Sequence, residues 1–287
     1  MFIDLTPEQH ALRLRVRDYF SALMTPELRL ALRGAESGAL FRDTVRRMGS
    51  DGWLAVGWPK AYGGQGYSGT EQLIFFEEAN IAGAPLPFVT ISTVGPALMS
   101  HGSALQKDRF LPGIAAGEIH FAIGYSEPDA GSDLATLKTA AKVEPDGFVV
   151  NGNKLWTSGV EAADFVWLAA RTDPERPRHK GISLLIVDTR TPGFSHTPIP
   201  TVGNSTAATY YDNVQVPREM LVGELHGGWK LITDQLNHER LGLGSWADKV
   251  FAPFRRVLLW AKAPDEQGRR AIDQPWVRRA LADCYVR

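Results

Sequence analysis

The sequence predicts an α+β protein, because the spacing of its apolar residues changes twice along the chain. Apolar residues recur at helical intervals up to residue 119, and from His120 short runs rich in β-branched and aromatic residues alternate with turn signals. A helical pattern returns after Gly227-Gly228. We therefore expect an N-terminal α-helical domain over 1–119, a β-domain over 120–225 and an incomplete C-terminal α-helical domain over 226–287.

Capping and proline signals place the helices of the first domain. Thr6-Pro7-Glu8-Gln9 has the pattern of an N-cap, a proline at the first helical position and a capping-box glutamine, and Pro26 ends or restarts that helix. Further helices are predicted over 39–48, 70–82, 93–101 and 104–116. The glycine-rich loop 58–67 lacks the strand, lysine and Ser or Thr of a phosphate-binding motif, so it indicates tight backbone packing.

Short apolar runs bounded by turn residues place the strands of the middle domain. They cover 147–150, 165–170, 182–187 and 209–216. Asp146-Gly147 and Asn151-Gly152 are hairpin or turn signals, and no long helix separates the runs. The sheets should therefore be antiparallel.

Composition excludes several classes of protein. With 287 residues, 44% hydrophobic and 22% charged, and a net charge of −1, the chain is typical of a globular protein and does not favour a nucleic-acid partner. The single cysteine, Cys284, excludes a disulfide framework and a cysteine-rich metal site, and we predict no metal. No apolar run approaches the roughly 20 residues that span a bilayer, and the N-terminus lacks an export pattern. We expect a cytoplasmic protein.

Two polar stretches of the middle domain have the residue types of a cofactor-binding loop. In the first, over 123–133, Gly131 permits close backbone approach or a positive φ. Ser126, Ser132 and the local backbone N–H groups can hydrogen-bond a ring carbonyl or a pyrophosphate. Composition alone fits an ordinary surface turn more often than a binding loop, so both interpretations stay open at this point. The second stretch is Asn151-Gly152-Asn153-Lys154-Leu155-Trp156-Thr157-Ser158-Gly159.

Together the two stretches resemble the acyl-CoA dehydrogenase family, which carries a T/S-E-P-x-A-G-S-D run followed by N-G-x-K-x-W-I/T-T/S. The resemblance implies that they form two sides of a flavin pocket. It further implies that Trp156 covers the isoalloxazine ring of FAD and that Ser158 hydrogen-bonds it. Contacts to FAD, or to the CoA chain near it, are implied for Tyr125, Ser126, Gly131 and Ser132.

A helical face near the C-terminus contains one charged residue. At intervals of three and four residues it consists of Ile232, Leu236, Glu239, Leu243, Trp246 and Val250. Apolar neighbours would raise the pKa of Glu239 toward the range in which a general base works near neutral pH. Equally, Glu239 could form a buried structural ion pair with Arg240 or another arginine. Spacing alone leaves both alternatives open.

The family resemblance bears on that choice. Some members, including isovaleryl-type enzymes, carry the catalytic glutamate on this helix in a run like L-x-x-E-R, which Leu236-Asn237-His238-Glu239-Arg240 matches. The resemblance implies that Glu239 removes the α-proton of an acyl-CoA thioester while the β-hydrogen leaves as hydride to flavin N5. It also implies that the electrons pass to an electron-transferring flavoprotein.

One family motif is absent. Family members usually carry R-x-x-F-G, whose arginine crosses the subunit interface to the neighbour's FAD, but 263–272 has no Phe-Gly and offers only Arg269 or Arg270 as a replacement. This departure, the start of the chain and the run over 121–132 resemble the actinobacterial steroid side-chain acyl-CoA dehydrogenases, in which two unlike subunits form an α2β2 assembly. A homo- or hetero-oligomer and a steroid-like or branched acyl group are thereby implied.

The last part of the chain is shorter than the helical bundle that the resemblance implies. One long helix and the opening of another, over 275–287, are present, so we expect a piece of a longer protein or a fragment that folds with a partner. Two alternatives to an FAD-dependent dehydrogenase also stay open. One is a flavin oxidase of the same superfamily, and the other is a non-catalytic partner that completes another chain's flavin site.

Overall fold

The computed structural model describes residues 4–33, 37–202 and 205–286, without the side chains of 237–243, 246–249 and 252. The α+β class predicted from the sequence is confirmed. The described helices are α1 (Pro7–Leu23), α2 (Pro26–Ala31), α3 (Ala39–Ser50), α4 (Gly69–Ala82), α5 (Gly95–His101), α6 (Ala104–Ala115), α7 (Gly228–Leu243), α8 (Ala247–Lys262) and α9 (Pro275–Val286). The described strands are β1 (Phe121–Gly124), β2 (Ala140–Glu144), β3 (Gly147–Lys154), β4 (Phe165–Arg171), β5 (Ile182–Asp188), β6 (Phe194–Ile199), β7 (Thr206–Pro217) and β8 (Leu221–Val222).

The chain divides into two compact units. The first unit consists of Met1–Arg29, Thr70–Ala84 and Gly242–Arg287, and the second of Leu30–Gly69 and Pro85–Leu241. The division into domains over 1–119, 120–225 and 226–287 stays a prediction. Within the described residues, no helix has the length and apolar character needed to cross a membrane.

In the first unit, α1 and α4 pack through aromatic rings and through ion pairs to a buried glutamate. The predicted capping box at Thr6 is present, since its side chain accepts from Gln9 N and the Gln9 side chain accepts from the backbone N–H of Thr6. The Phe20 and Phe75 rings lie 5.6 Å apart. Arg17 donates from Nη2 to Glu78 Oε1 at 2.7 Å, which compensates the charge of a buried carboxylate.

The helical face predicted through Trp246 and Val250 is interrupted, because α7 ends at Leu243 and a 3₁₀ turn over Gly244–Trp246 precedes α8. A glycine weakens a helix at this point, and Ser245 is buried with its Oγ accepting from Asn80 Nδ2 at 2.8 Å. The prediction of one continuous face was therefore wrong. Apolar side chains of α8 and α9 that are more than one-third exposed are Val250, Phe251, Val257, Leu259, Trp260, Trp276, Tyr285 and Val286.

In the second unit, eight strands form one sheet in the order β6-β7-β3-β2-β4-β5-β8, and β1 pairs in addition with β4. Most pairs are antiparallel as predicted, but β1 runs parallel to β4, and β2 is parallel to β4 at Ala140↔Arg171. The parallel pairing was not predicted because it joins segments about 40 residues apart, with a hairpin instead of a helix between them. The loop 125–139 thus connects β1 to β2, and both strands pair with the same edge of β4.

Arg42 of α3 ties the second unit together at the start of β1. Its guanidinium donates to the carbonyl oxygens of Ala162 at 2.7 Å and Glu118 at 2.8 Å. It also donates to Asp164, whose carboxylate accepts the backbone N–H of His120 at 2.9 Å. Burial lowers the pKa of His120, and the nearby Arg42 acts in the same direction. A neutral His120 is consistent with a structural role.

The glycine-rich loop serves backbone packing, as predicted. A Cβ atom on Gly64 would lie 1.9 Å from the carbonyl oxygen of Trp58, and one on Gly95 would lie 2.0 Å from the Trp58 ring. The Trp58 indole donates to the carbonyl oxygen of Ile91 at 3.0 Å, which keeps the ring against Gly95. Only glycine fits at these two contacts.

We expect Gly64→Ala to lower the free energy of unfolding by about 2 kcal/mol, because the added methyl group meets backbone atoms of Trp58 that cannot move aside. Gly38→Ala is the matched control, since no atom lies within 4 Å of the position that its methyl group would take and its φ is −81°. Urea unfolding measures both variants. Equal stabilities would contradict the packing role of Gly64.

Candidate functional site

A buried ion pair between Glu127 and Lys154 connects the two predicted cofactor stretches. Lys154 Nζ lies 2.8 Å from Glu127 Oε1 and donates to the carbonyl oxygen of Tyr125 at 3.0 Å. The Lys154 side chain is fully buried and that of Glu127 is 5% exposed. The end of β3 is therefore fixed to the loop that follows β1.

The same carboxylate closes the first stretch upon itself. Glu127 accepts the backbone N–H groups of Lys138 at 2.6 Å and Thr139 at 2.8 Å, so the two ends of the loop converge on one side chain. A buried carboxylate is tolerated when its charge is paired and its oxygens are hydrogen-bonded, and both conditions are met here.

Burial and attraction act against each other on both pKa values. Burial lowers the pKa of Lys154 to about 8, although the neighbouring Glu127 acts to raise it. For Glu127, burial acts to raise the pKa, but the charge of Lys154 and three hydrogen bonds outweigh it and hold the pKa below the usual value of a glutamate. The pair is therefore ionised at neutral pH.

Backbone hydrogen bonds fix the second stretch between its neighbours. Leu155 N donates to the Ser126 carbonyl oxygen at 2.8 Å, which joins the two stretches directly. Thr157 is fully buried, and its N–H donates to the Ala207 carbonyl oxygen at 3.0 Å. The hydroxyl of Ser158 is 3.2 Å from that of Thr206.

Trp156 adopts a backbone conformation that a bulky residue seldom occupies. Its φ is +62°, in the left-handed region, and the residue is 57% exposed. Such a conformation costs of order 1 kcal/mol and persists where the surroundings impose it, frequently at functional sites. Here the Leu155 and Thr157 backbone bonds on either side impose it and present the indole at the surface.

Gly131 and Ser132 lie at the exposed end of the first stretch. Gly131 does not adopt a positive φ, which leaves close backbone approach as the use of a glycine at this position. The turn instead closes through the backbone pair between Glu127 and Ala130, which needs no left-handed residue at Gly131. No atom lies within 4 Å of a methyl group placed on Gly131, so its outer side is open to a ligand.

Arg171, at the end of β4, holds the loop after Ser132. Its Nε donates to the Leu137 carbonyl oxygen at 3.0 Å and its Nη2 to that of Ala135 at 2.7 Å. An exposed ion pair of 2.9 Å between Arg178 and Asp133 lies beyond it. The loop is thus supported from the sheet without using its outer side.

An indole links the first stretch to α7. Trp167 Nε1 lies 3.1 Å from Tyr125 Oη and 3.0 Å from Gln235 Oε1. Gln235 is buried, and its Nε2 atom has no hydrogen-bond partner in the described part of the chain. Trp167 therefore connects α7, at Gln235, with Tyr125 of the first stretch.

The predicted base lies on α7, and the candidate arginines lie in the loop between α8 and α9. The side chain of Glu239 lies outside the described residues, and its backbone belongs to α7 one turn beyond Gln235. Arg269 and Arg270 form exposed ion pairs with Asp265 and Asp273 within their own loop.

The structure adds four residues that sequence reasoning missed: Glu127, Lys154, Trp167 and Gln235. The first two were inside the quoted motifs, where a glutamate and a lysine within largely uncharged runs were a usable signal. Trp167 and Gln235 carry no local signal, because each acts across a tertiary contact.

These features fit a flat, polar-edged group such as a flavin. Four groups lie on segments joined by hydrogen bonds: an exposed indole, a hydroxyl at Ser158, an open loop at Gly131 and the Nε2 atom of Gln235, which has no partner in the described residues. In the described part of the chain, no group of three or more His, Cys, Asp or Glu could hold a metal ion.

Comparison with known families decides the identity. The N-terminal, middle and C-terminal domain models of acyl-CoA dehydrogenases match residues 6–118, 122–214 and 226–287. The chain belongs to the acyl-CoA dehydrogenase family. It is accordingly an oxidoreductase of a flavoprotein family.

Its relatives include acyl-CoA dehydrogenase FadE26 of Mycobacterium tuberculosis, 52% identical over 296 residues, which cover all of this chain and 74% of the relative. Among solved structures, the ChsE4-ChsE5 complex of M. tuberculosis has a TM-score of 0.88 at 53% identity, covering 100% of this chain and 74% of that chain. The Tcur3481-Tcur3483 steroid ACAD has a TM-score of 0.90 at 50% identity with the same coverage. This acyl-CoA dehydrogenase thus resembles subunits of heteromeric complexes.

The Glu127–Lys154 pair generates a test. We expect Glu127→Gln and Lys154→Met each to lower the free energy of unfolding by about 3–5 kcal/mol, because each leaves a buried charge unpaired. The double variant removes both charges and should lose much less than the sum of the two single losses. Urea unfolding of the four proteins gives the coupling energy, and additive losses would contradict the pairing.

Lys138→Met is the matched control in the same loop. It removes an ion pair to Asp129 of 3.3 Å in which both side chains are more than three-quarters exposed. The expected loss is below about 1 kcal/mol. A loss as large as that of Lys154→Met would show that burial is not what distinguishes the two lysines.

Proposed function

We propose that this chain carries out FAD-dependent α,β-dehydrogenation of an acyl-CoA thioester. The observation that carries the proposal is the union of the two stretches by Glu127 and Lys154, which presents Trp156 in a strained and exposed conformation. In this proposal Trp156 covers the isoalloxazine ring and Ser158 hydrogen-bonds it. The loop contacts to FAD or the adjoining CoA chain come from Tyr125, Ser126, Gly131 and Ser132.

Glu239 is the proposed base. The contact of Gln235 with Trp167 supports it, because Trp167 connects α7 to Tyr125 of the first stretch one turn before Glu239. Glu239 takes the α-proton of the thioester as a general base. Bound FAD supplies the redox chemistry, which is acceptance of the β-hydrogen with its electron pair.

The partner subunit and the substrate proposed for this chain are inferred from similar proteins. The heteromeric ChsE4-ChsE5 complex and the Tcur3481-Tcur3483 steroid ACAD support an unlike partner subunit and a steroid-like acyl group. The exposed apolar side chains of α8 and α9 are consistent with helices that another surface covers. We propose an electron-transferring flavoprotein as acceptor. We propose the cytoplasm as location, because a single cysteine leaves the chain without an intrachain disulfide framework, which fits a reducing compartment.

An anaerobic flavin measurement tests the function. The protein, alone and with its partner chain, is mixed with a steroid side-chain acyl-CoA, and loss of flavin absorbance is followed. We expect Glu239→Gln to slow bleaching about 100-fold or more while FAD stays bound, because the variant lacks the base. The control Glu224→Gln alters an exposed carboxylate next to α7 and should bleach at the wild-type rate.

The outcomes separate the alternatives. Bleaching that is unaffected by Glu239→Gln in the complex would contradict a catalytic role and favour a non-catalytic partner. Rapid reoxidation of the bleached flavin by oxygen, without an acceptor flavoprotein, would indicate an oxidase.

A substitution of Trp156 should change FAD affinity without changing the stability of the protein. Trp156→Asn should leave the free energy of unfolding within about 1 kcal/mol of wild type, because asparagine tolerates a positive φ. FAD affinity should fall about tenfold through loss of the aromatic face. Trp156→Phe keeps that face and serves as the control. Unchanged FAD affinity in Trp156→Asn, measured by fluorescence titration, would contradict a flavin contact.

A further inference from the structure

The amide of Gln235 is satisfied on one side only. Its Oε1 accepts the indole N–H of Trp167 at 3.0 Å, whereas the buried Nε2 has no partner in the part of the chain that the structure describes. An indole nitrogen only donates, so the oxygen of the amide must face Trp167. This fixes the direction of the NH₂ group, which points away from the indole, and the residue is 1% exposed.

Trp167 does not require Gln235. Its N–H also reaches Tyr125 Oη at 3.1 Å, so the indole would keep an acceptor if the glutamine were replaced by an apolar residue. Burying an amide donor without an acceptor is unfavourable. The position therefore carries an unfavourable group that the fold does not need.

Gln106 shows what a structural glutamine looks like in the same unit. It is 2% exposed, and its Nε2 donates to the carbonyl oxygens of Glu219 at 2.7 Å and Leu221 at 2.8 Å. Its Oε1 accepts Ser103 N at 3.0 Å. Every side of that amide has a partner, in contrast to Gln235.

The position of Gln235 indicates which molecule supplies the missing acceptor. Through Trp167 it is linked to Tyr125 of the first cofactor stretch, and on α7 it precedes Glu239 by four residues, about one helical turn along the same face. The proposed site places the flavin ring and the thioester in this region. Both carry carbonyl oxygens, which accept hydrogen bonds from an amide.

We propose that Gln235 is a positioning residue whose Nε2–H donates to a carbonyl oxygen of the bound flavin or acyl-CoA. The role rests on the proposed function of the site. A buried donor of this kind discriminates strongly, because a ligand without an acceptor there leaves the donor unpaired. Gln235 thereby selects the ligand and its orientation without taking part in proton transfer.

Gln235→Met tests the role, since methionine has a similar length and no polar amide. The ligand-free variant should unfold at a temperature equal to or above that of wild type, because an unpaired donor is removed and Trp167 keeps Tyr125 as its acceptor. In the complex with the partner chain, dissociation constants are measured for FAD and for a steroid side-chain acyl-CoA by fluorescence and absorbance titration. We expect one of them to rise about tenfold or more.

The two titrations identify the source of the acceptor. A weaker FAD complex assigns the carbonyl oxygen to the flavin, whereas a weaker acyl-CoA complex with unchanged FAD affinity assigns it to the acyl-CoA. Gln106→Met is the matched control, for which we expect a lower unfolding temperature and unchanged affinities.

Different results would overturn the role of Gln235 and the proposed function of the chain. Gln235→Met with wild-type affinity for both probes overturns the positioning role, whatever its stability. A wild-type complex that binds neither FAD nor the acyl-CoA overturns the proposed function and this role together. If the wild-type complex binds both probes and Gln235→Met binds them with the same affinities, only the role of Gln235 is overturned. The proposed function is then unaffected.

Discussion

The second unit depends on one electrostatic requirement, which is that the buried ammonium of Lys154 and the buried carboxylate of Glu127 remain together. Each charge would be strongly unfavourable in isolation. Their pairing, with the N–H groups of Lys138 and Thr139 on the carboxylate, leaves one arrangement of the loop 125–139 against the end of β3. The ion pair thus specifies geometry even where its net contribution to stability is small.

Several features of the site follow from this arrangement. Once β3 ends at Lys154 beside Glu127, the Leu155 N–H meets the carbonyl oxygen of Ser126, and the chain turns through the left-handed conformation of Trp156. The backbone strain is confined to Trp156, whereas the hydrogen bonds that impose it join Leu155 to the loop and Thr157 to β7. Because these bonds exist without a ligand, the surface around Trp156 is formed before a ligand binds. Binding then costs less conformational entropy.

The parts of the fold that the sequence predicted were those governed by local rules. The capping box at Thr6 and the proline at position 7 defined α1, and Gly147 marked the start of β3. The turn predicted at Asn151-Gly152 was wrong, because both residues lie inside β3, where the register shifts between Val150 and Gly152. Parallel pairing of β1 with β4 was missed because it joins segments far apart in sequence. The end of α7 was missed although Gly244 is a local signal for it, because the contact of Ser245 with Asn80 that accompanies the break is not visible in the sequence.

The candidate site divides in the same way. The two loops could be found because the residues of each are consecutive in the sequence. That the outer side of Gly131 is open depends on the fold around it and could not be predicted. The role of Glu127 and Lys154, and the half-satisfied amide of Gln235, depend on burial and on partners that no window of sequence contains.

The measurement that tests the central claim most directly is residue-resolved hydrogen exchange of the flavin-free protein at the amide of Leu155. A pocket side that is formed in advance by the ion pair predicts slow exchange at this amide, comparable with the core of β3, because its N–H donates to Ser126. Exchange at the rate of an unstructured peptide until FAD is added would contradict it, and would mean that the flavin assembles the two stretches.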